Sequence, residues 1–266
     1  MSLVLHFSDS HLYADKLGEL KGICPYDSFR AVLSHAYAKF PKPDVIILGG
    51  DMAQDESAPT YRMVVELLRE YDWQVPVMIS PGNHANLSIL NASLIPYLKV
   101  LFSYSEHLQL PSWQVITVST HERGSVGGCL SDRELSRLNT LLSASGDLPT
   151  LIALHHHPIP VGSRWMDAIG LSNRQELWKI IHAFPQVKAL LCGHIHQHFD
   201  AVYEGVRVLG SPSTCVQFTP GEDDFAMDNI SPGYRWLKLE EDGAIRTGIE
   251  RVEGFIPPDL SNTDPY

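Results

Sequence analysis

The chain of 266 residues lacks several features that mark common protein classes. It has only four cysteines and no C-x-x-C spacing, which argues against a disulfide scaffold or a cysteine-bound zinc site. No apolar run approaches the roughly 18 residues that a membrane span requires. The first residues also lack the basic and apolar segments of a signal peptide. We therefore expect a cytoplasmic protein that does not enter a membrane.

Positive charge is scarce as well. Lys and Arg number 20 against 31 Asp and Glu, so the formal net charge is −11. Proteins that bind long nucleic acids do so through many Lys and Arg contacts, so we expect no such partner. A small anionic substrate is still compatible with this charge if the site holds metal cations, because surface carboxylates are screened over about 8 Å.

The hydrophobic content of 44% is sufficient for a large core. Apolar runs predict strands at 3–8, 45–48, 75–79, 113–118, 150–154 and 187–192. Helical spacing predicts helices at 29–40, 60–71, 131–142 and 175–183, the third with a capping box of Ser131 and Glu134. This alternation indicates βαβ units and a mainly parallel sheet. Residues 199–252 change to short β-like runs, which suggests an antiparallel second sheet.

We expect one catalytic domain over residues 1–254, followed by a tail over residues 255–266. The tail is rich in proline and carries little that could pack regularly. It is expected either to fray or to cover a neighbouring surface.

Five short polar motifs follow apolar runs at the ends of predicted strands. They are Asp9-x-His11, Gly50-Asp51, Gly82-Asn83-His84, His155-His156-His157-Pro158 and Gly193-His194-Ile195-His196. If all residue types were equally frequent, G-N-H and G-H-x-H would each be expected about 0.03 times in a chain of this length. Open α/β sheets place their sites beyond the carboxyl ends of strands. Carboxylates, an amide and several histidines there suit an oxygen and nitrogen cage for two divalent cations.

This ordered set resembles the calcineurin-like metallophosphoesterase superfamily. The stretches 49–55, 154–162, 191–197 and 211–218 look like the bacterial 3′,5′-cyclic AMP phosphodiesterases, the class III cyclic nucleotide enzymes. The similarity runs from Leu3 to about Arg251. It implies an α/β fold of four layers, αββα, in which two mixed β-sheets are flanked by helices.

The resemblance also implies how the ligands divide between two metal ions, which could be Fe, Mn or Zn. Asp51 would bridge the ions. Asp9, His11 and His196 would complete one metal site, and Asn83, His156 and His194 the other. The superfamily ligand stands two positions before the proline, which selects His156 among three adjacent histidines. His155 and His157 are then expected either to orient other groups of the site or to pack against the protein.

The implied reaction is hydrolysis of cyclic AMP to 5′-AMP. A water between the cations, with its pKa lowered to about 7, would be the nucleophile. His84 is the expected catalytic residue, donating a hydrogen bond to the phosphate or protonating the leaving 3′ oxygen. Substrate contacts are expected from Asn83, His84, His196 and Trp165, although Trp165 could equally pack against the body of the protein.

Two positions depart from the family pattern. Ala85 follows the G-N-H motif where Asp is usual, which removes a carboxylate that could orient His84. Ser119 stands where relatives often carry Asp, and neither change removes a metal ligand.

Two other functions compete with cyclic AMP hydrolysis. One is a broad-specificity phosphodiesterase acting on glycerophosphodiesters or other small diesters. The other is a catalytically retired fold that serves as an interaction module. Such a module should have lost ligands, whereas this chain keeps all seven and His84.

Overall fold

Strands and helices alternate along most of the chain, as the apolar pattern predicts. The computed structural model describes residues 1–262, 264 and 265. The strands within these residues are β1 (Ser2–Phe7), β2 (Val45–Leu48), β3 (Val77–Ile79), β4 (His107–Gln109), β5 (Gln114–Thr117), β6 (Thr150–Leu154), β7 (Val187–Cys192), β8 (Phe199–Tyr203), β9 (Val206–Gly210), β10 (Gln217–Phe218), β11 (Met227–Asp228), β12 (Gly233–Leu239) and β13 (Ile245–Arg251). The helices are α1 (Pro25–Lys39), α2 (Ala58–Arg69), α3 (Leu87–Ser93), α4 (Ile95–Leu101), α5 (Asp132–Ala144), α6 (Arg164–Asp167) and α7 (Arg174–Ala183).

Two large mixed sheets form the centre of the molecule. The first has the order β13-β12-β1-β2-β3, in which β1, β2 and β3 are parallel and β12 pairs antiparallel with both β1 and β13. The second has the order β4-β5-β6-β7-β9-β8, with parallel strands in the middle and antiparallel β4 and β8 at its edges. Strands β10 and β11 form a separate small ribbon.

The prediction that residues 199–252 form a sheet of their own is wrong. Four of their strands instead divide between the two large sheets, where β12 pairs with β1 and β9 pairs in parallel with β7. Only the short strands β10 and β11 stay outside these sheets, as the small ribbon. Strands β1 and β7 would otherwise end their sheets with unpaired backbone groups in buried positions, so the late strands satisfy those hydrogen bonds.

Apolar side chains hold the sheets together face to face. The cluster between them draws from both sheets and from no helix, and includes Val4, Ile47, Leu151, Ala153 and Leu191. On the outer faces, helices α1 to α4 pack against the first sheet, and α5 and α7 pack against the second. The layers therefore follow the order αββα, which confirms the fold class.

The helix ends differ in detail from the sequence prediction. Ser131 caps α5 by accepting a hydrogen bond from the Glu134 N–H at 3.2 Å. The Glu134 carboxylate does not complete the capping box, because it accepts from the Ser119 N–H and pairs with Arg137. Helices α3 and α4 were missed, since seven residues are too few for a clear helical period. No described helix has the length and apolar character of a membrane span.

Candidate active site

The polar motifs converge where the carboxyl ends of the two sheets meet. Asp9, Asp51 and Asn83 follow β1, β2 and β3 of the first sheet. Three adjacent histidines follow β6 of the second sheet, and the G-H-x-H motif follows β7. Except for Asn83 and His84, which are half-buried, every predicted ligand and catalytic side chain is at most 5% exposed. Pairing of polar groups in such a water-poor site makes their electrostatic interactions strong.

The backbone of the site is strained. Positive φ angles, which side chains other than glycine rarely adopt, occur at Asp9 (56°), His11 (48°), Asp51 (46°), His194 (65°) and His196 (48°). Such conformations persist only where the surrounding structure enforces them, and they cluster at functional sites. Here the turn at each strand end directs its side chain toward the other sheet.

Two glycines allow this close approach. A Cβ atom at Gly82 would lie 2.1 Å from the Asp51 Oδ1 atom, so no other residue fits beside that carboxylate. Gly50 has a φ of +100°, and a Cβ there would lie 2.3 Å from Nδ1 of His155. The glycines of the G-D and G-N-H motifs are therefore required by the packing of the site.

One group of candidate metal ligands consists of Asp9, His11 and His196. The Nε2 atoms of the two histidines lie 3.2 Å apart, and Nε2 of His196 lies 3.4 Å from Oδ1 of Asp9. Their Nδ1 atoms lie within hydrogen-bond distance of oxygen acceptors, Gln54 Oε1 at 2.6 Å and the Val216 carbonyl at 2.8 Å. If Nδ1 donates in each ring, both Nε2 lone pairs face the carboxylate, an arrangement that fits a cation.

His155 faces the carboxylate of Asp51, as His196 faces that of Asp9. Its Nε2 atom lies 3.1 Å from Oδ2 of Asp51 and 3.2 Å from Oδ1 of Asn83. Its Nδ1 atom donates to the Gly49 carbonyl at 2.7 Å. This hydrogen bond directs Nε2 toward the two oxygen donors, which is the usual way a metal-binding histidine is oriented.

His156 is oriented differently. Its backbone N–H donates to the Thr120 hydroxyl, so that hydroxyl can donate to the Nδ1 atom, 2.7 Å away. Its Nε2–H donates to the Val126 carbonyl at 3.1 Å. Both ring nitrogens are thus occupied, although His156 still lies in one group with His155 and His194.

His194 completes the second group. Its Nε2 atom donates to the Ile169 carbonyl at 3.1 Å, which leaves Nδ1 to face the site. Its backbone N–H donates to the Asp9 carboxylate at 3.1 Å, so the loop after β7 is tied to the loop after β1. His157 stacks on His194 with an angle of 18° between their rings.

Burial and charge set the proton positions in the site. Burial opposes protonation of His155, but the Asp51 carboxylate outweighs it and raises the pKa of His155 to about 9. Burial likewise opposes ionisation of Asp51, yet the charge of His155 holds the pKa of Asp51 well below its usual range. For His11, burial and the neighbouring His196 lower the pKa to about 3. A neutral His11 and an ionised Asp51 are the protonation states in which these side chains bind metals.

A cavity of about 410 Å³ opens directly over these residues. Its lining combines His11, Asp51, Asn83, His84, His194 and His196 with Val126, Trp165, Met166, Ile169, Phe218, Phe225 and Pro265. The lining of the cavity therefore combines carboxylate, amide and imidazole groups with apolar and aromatic side chains. Such a cavity suits a small molecule with an anionic end and a flat apolar end.

Aromatic rings form much of the apolar side. Phe218 stacks on His196 with ring centroids 4.1 Å apart and an angle of 4° between the planes. Trp165 contacts the edges of Phe218 and Phe225 at 5.1 Å and 5.2 Å. Trp165 thus packs against the body of the protein, as one of the two alternatives drawn from the sequence has it, and also lines the cavity.

His84 lies beside these ligands at the wall of the cavity. Its backbone N–H donates to Oδ1 of Asp51 at 2.8 Å, and its ring meets that of His11 edge to face at 5.2 Å. Ala85 is buried and offers no hydrogen bond to the ring. The contact that the structure shows for the His84 ring is therefore the one with His11.

The sequence profile of the calcineurin-like phosphoesterases matches residues 2–198, which include all five motifs. The chain belongs to this family. This phosphoesterase is 36% identical over 254 residues to the 3′,5′-cyclic adenosine monophosphate phosphodiesterase CpdA of Pseudomonas aeruginosa, with 96% of this chain and 91% of that protein covered. It is 37% identical over 253 residues to CpdA of Escherichia coli strain K12, with 94% and 89% covered.

Solved structures share the fold at low sequence identity. A dimetal phosphatase from Danio rerio superimposes with a TM-score of 0.61 at 14% identity, covering 92% of this chain and 95% of that one. A purple acid phosphatase from yellow lupin seeds gives a TM-score of 0.65 at 12% identity, covering 100% of this chain and 52% of that one. The αββα architecture of this phosphoesterase therefore agrees with that of its structural neighbours.

The sequence interpretation passed over one residue of the site, His155. The structure shows which face of strand β6 leads to it: Leu151 and Ala153 face the other sheet, and Ile152 and Leu154 face the helices. Side chains alternate along a strand, so His155 continues the row that faces the first sheet and its carboxylates. All seven predicted ligands lie around the site. The histidine whose Nε2 atom faces the Asp51 carboxylate, however, is His155 and not His156.

Proposed function

We propose that this phosphoesterase hydrolyses 3′,5′-cyclic AMP to 5′-AMP with two divalent metal ions. The observation that carries this proposal is the cavity of about 410 Å³, which joins a cage of carboxylate, amide and imidazole donors to an aromatic wall. The names of the relatives in Pseudomonas aeruginosa and Escherichia coli support the choice of substrate.

The residues present fit two metal ions. Asp9, His11 and His196 would hold one ion, and Asn83, His155 and His194 the other, with Asp51 shared between them. Two such cations supply the positive charge that activates water and neutralises a phosphate group. Oxygen and imidazole donors suit Fe, Mn or Zn, and the proposal includes all three.

His155 replaces His156 as the proposed ligand. His155 has one ring nitrogen bonded to a carbonyl and the other directed at Asp51 and Asn83. His156 engages both of its nitrogens with Thr120 and Val126. A histidine ligand must direct one ring nitrogen at the metal, and of these two residues only His155 directs a nitrogen at Asp51 and Asn83. A bound cation would displace the proton that this nitrogen carries in the metal-free site.

His84 is the proposed catalytic proton donor. Its ring borders the cavity beside Asn83, and its backbone is held by Asp51. A histidine in that place can donate a hydrogen bond to a phosphoryl oxygen and deliver a proton to the leaving 3′ oxygen of the ribose. The imidazole of His196 and the amide of Asn83 border the same space, so both are proposed to contact the substrate.

Trp165 and Phe218 are proposed to contact the nucleobase. Flat aromatic rings pack against one another in offset or edge-to-face arrangements, so an adenine ring is accommodated by this wall. The cavity has the size of a small-molecule site, and the net charge of −11 disfavours a long nucleic acid. The substrate class is therefore a small molecule, and the aromatic wall together with the names of the relatives supports a cyclic nucleotide.

We propose that residues 1–254 form the catalytic unit and that the enzyme acts in the cytoplasm. All four cysteines are free, and Cys192 and Cys215 are buried. Unpaired thiols are typical of reducing compartments, which supports this location.

The test is hydrolysis of cyclic AMP by metal-stripped protein reloaded with Mn, Fe or Zn, with bis-p-nitrophenyl phosphate and glycerophosphocholine as comparison substrates. We expect metal-dependent turnover of cyclic AMP with kcat/KM of about 10⁴ M⁻¹s⁻¹ or more. The Asn83→Ala variant, which lacks the amide ligand, should be inactive with all three substrates.

Other results would select the competing functions. Turnover confined to the artificial diester or to glycerophosphocholine would indicate a broad-specificity phosphodiesterase. Absence of metal-dependent activity on every ester would indicate an interaction module.

A further inference from the structure

The C-terminal tail turns back to the cavity that holds the proposed substrate. Residues 255–262, 264 and 265 form neither helix nor strand, and Thr263 and Tyr266 lie outside the described residues. Pro258 is buried, whereas Ile256 and Leu260 are 68% and 49% exposed. Pro265 lines the cavity. The tail thus contributes to a site whose next lining residue in the sequence is Phe225, 40 positions earlier.

Lys21 connects this tail to the rest of the site. Its carbonyl accepts a hydrogen bond from the Asp259 N–H at 2.8 Å. Its ammonium group donates to Oδ1 of Asn262 at 2.7 Å and to the Asp264 carbonyl. The same ammonium group lies 5.8 Å from the centre of the Phe225 ring, which lines the cavity. One side chain therefore contacts both the tail and an aromatic residue of the wall.

The backbone at this contact is adapted to the tail. Lys21 has a φ of 53°, and the following Gly22 has a φ of +78°. A Cβ atom at Gly22 would lie 3.3 Å from the backbone nitrogen of Asp259, so a side chain there would press on the tail. Two successive residues in the left-handed region are uncommon and need support from their surroundings.

The tail also has order of its own. Oδ1 of Asp259 accepts hydrogen bonds from the backbone N–H of Ser261 at 3.0 Å and from its hydroxyl at 2.6 Å. The Asn262 N–H donates to the Asp259 carbonyl at 3.1 Å, which closes a turn. This turn places Asn262 beside the Lys21 ammonium group, which also donates to the Asp264 carbonyl.

We propose that the C-terminal tail forms the outer wall of the substrate cavity and that Lys21 is the residue that positions it. The proposal rests on the proposed function, because it assigns Pro265 to the end of the cavity away from the phosphate. The pyrrolidine ring would pack against the nucleobase beside Trp165 and Phe225. The tail then determines how well a flat, purine-sized group is held while the proton donor and the metal ligands stay unchanged.

The test compares the wild type with a chain that ends at Gly254, with Lys21→Met and with Pro265→Gly. Lys21→Met keeps the length of the side chain and loses its hydrogen bonds to the tail. Lys16→Met is the matched control, since the Lys16 ammonium contacts Tyr26 and none of the described tail residues. The readouts are kcat and KM for cyclic AMP and for bis-p-nitrophenyl phosphate, together with bound metal.

We expect the KM for cyclic AMP to rise about three- to tenfold in the truncated chain and in Lys21→Met, the effect of losing a few apolar contacts. The value of kcat and the metal content should stay within about twofold, because the cage is not touched. Lys16→Met should match the wild type. Pro265→Gly removes only the contact of the pyrrolidine ring with the cavity, and it should also raise the KM for cyclic AMP.

Two results would overturn the proposal. One is an unchanged KM for cyclic AMP in Lys21→Met and Pro265→Gly. The other is a lower KM in the truncated chain, which would mean that the tail obstructs the cavity. If the wild type cleaves only the artificial diester, the proposed function fails. The role of the tail is then tested by the inhibition constant of 5′-AMP, which should rise in the same variants.

Discussion

The cage and the wall of the cavity are built in different ways. Asp9 and His155 of the cage are fully buried at strand ends, whereas Val126 of the wall is 56% exposed on a loop. In the cage, histidine ring nitrogens form hydrogen bonds with carbonyl or side-chain oxygens, and these bonds orient the rings. The wall is held mainly by contacts between aromatic rings, and Nε1 of Trp165 has no hydrogen-bond partner in the described part of the chain.

Because of this difference, we expect the cage to carry out the reaction and the wall to determine which substrate binds. Metal ligands must be held to within a fraction of an ångström, and strand ends joined by hydrogen bonds between two sheets provide that accuracy. Loops and a terminal tail can be replaced without disturbing the sheets. Substitutions in the cage should therefore abolish turnover, and substitutions in the wall should change mainly the affinity for the substrate.

The largest effect is expected from Asp51→Asn, which keeps the shape of the side chain and removes its charge. Loss of a partner that only orients a metal ligand costs about 10–100-fold, so loss of the shared ligand should lower kcat/KM by at least about 10³-fold. Metal content, measured by plasma mass spectrometry, should fall below two ions per chain. Full activity with two ions bound would contradict the role of Asp51.

His155→Ala and His156→Ala form a matched pair within the cage. We expect His155→Ala to lose one metal ion and about 10³-fold in kcat/KM, because its Nε2 atom faces Asp51 and Asn83. His156→Ala should keep both ions and lose at most about 10- to 100-fold, the effect of disturbing an outer partner. The opposite order of metal loss would show that the ligand is His156.

His84→Ala tests whether catalysis by proton transfer can be separated from metal binding. We expect kcat for cyclic AMP to fall about 10²-fold with both metals retained, since proton donors contribute about 10²–10⁴-fold. Bis-p-nitrophenyl phosphate should be much less affected, because nitrophenolate leaves without a proton. An equal loss with both substrates would assign His84 to phosphate binding alone.

Trp165→Ala addresses the wall and should have the smallest effect. Loss of an aromatic contact with the base should raise the KM for cyclic AMP about tenfold, with kcat within about twofold. Trp236→Phe is a suitable control, since Trp236 packs against Phe40 on the outer face of the first sheet. A fall in kcat without a change in KM would place Trp165 among the residues that orient the phosphate.

Much of the fold follows from local patterns. The buried strands β1, β2, β6 and β7 are read directly from runs of apolar residues, and Ser131 caps α5 as its position predicts. Local patterns did not predict which strands residues 199–252 would pair with. Short strands carry no information on their partners, so pairing of β12 with β1 depends on which backbone edges remain open after the rest has folded.

The sequence by itself determined the donor set of this protein, because carboxylates, an amide and histidines follow apolar strands whose carboxyl ends must share one edge. Only the tertiary structure decided between His155 and His156. Both faces of β6 are apolar and buried, so the alternation of side chains does not reveal which face meets the other sheet. The same holds for the tail, whose contact with Lys21 joins residues 238 or more positions apart, a distance that no local pattern spans.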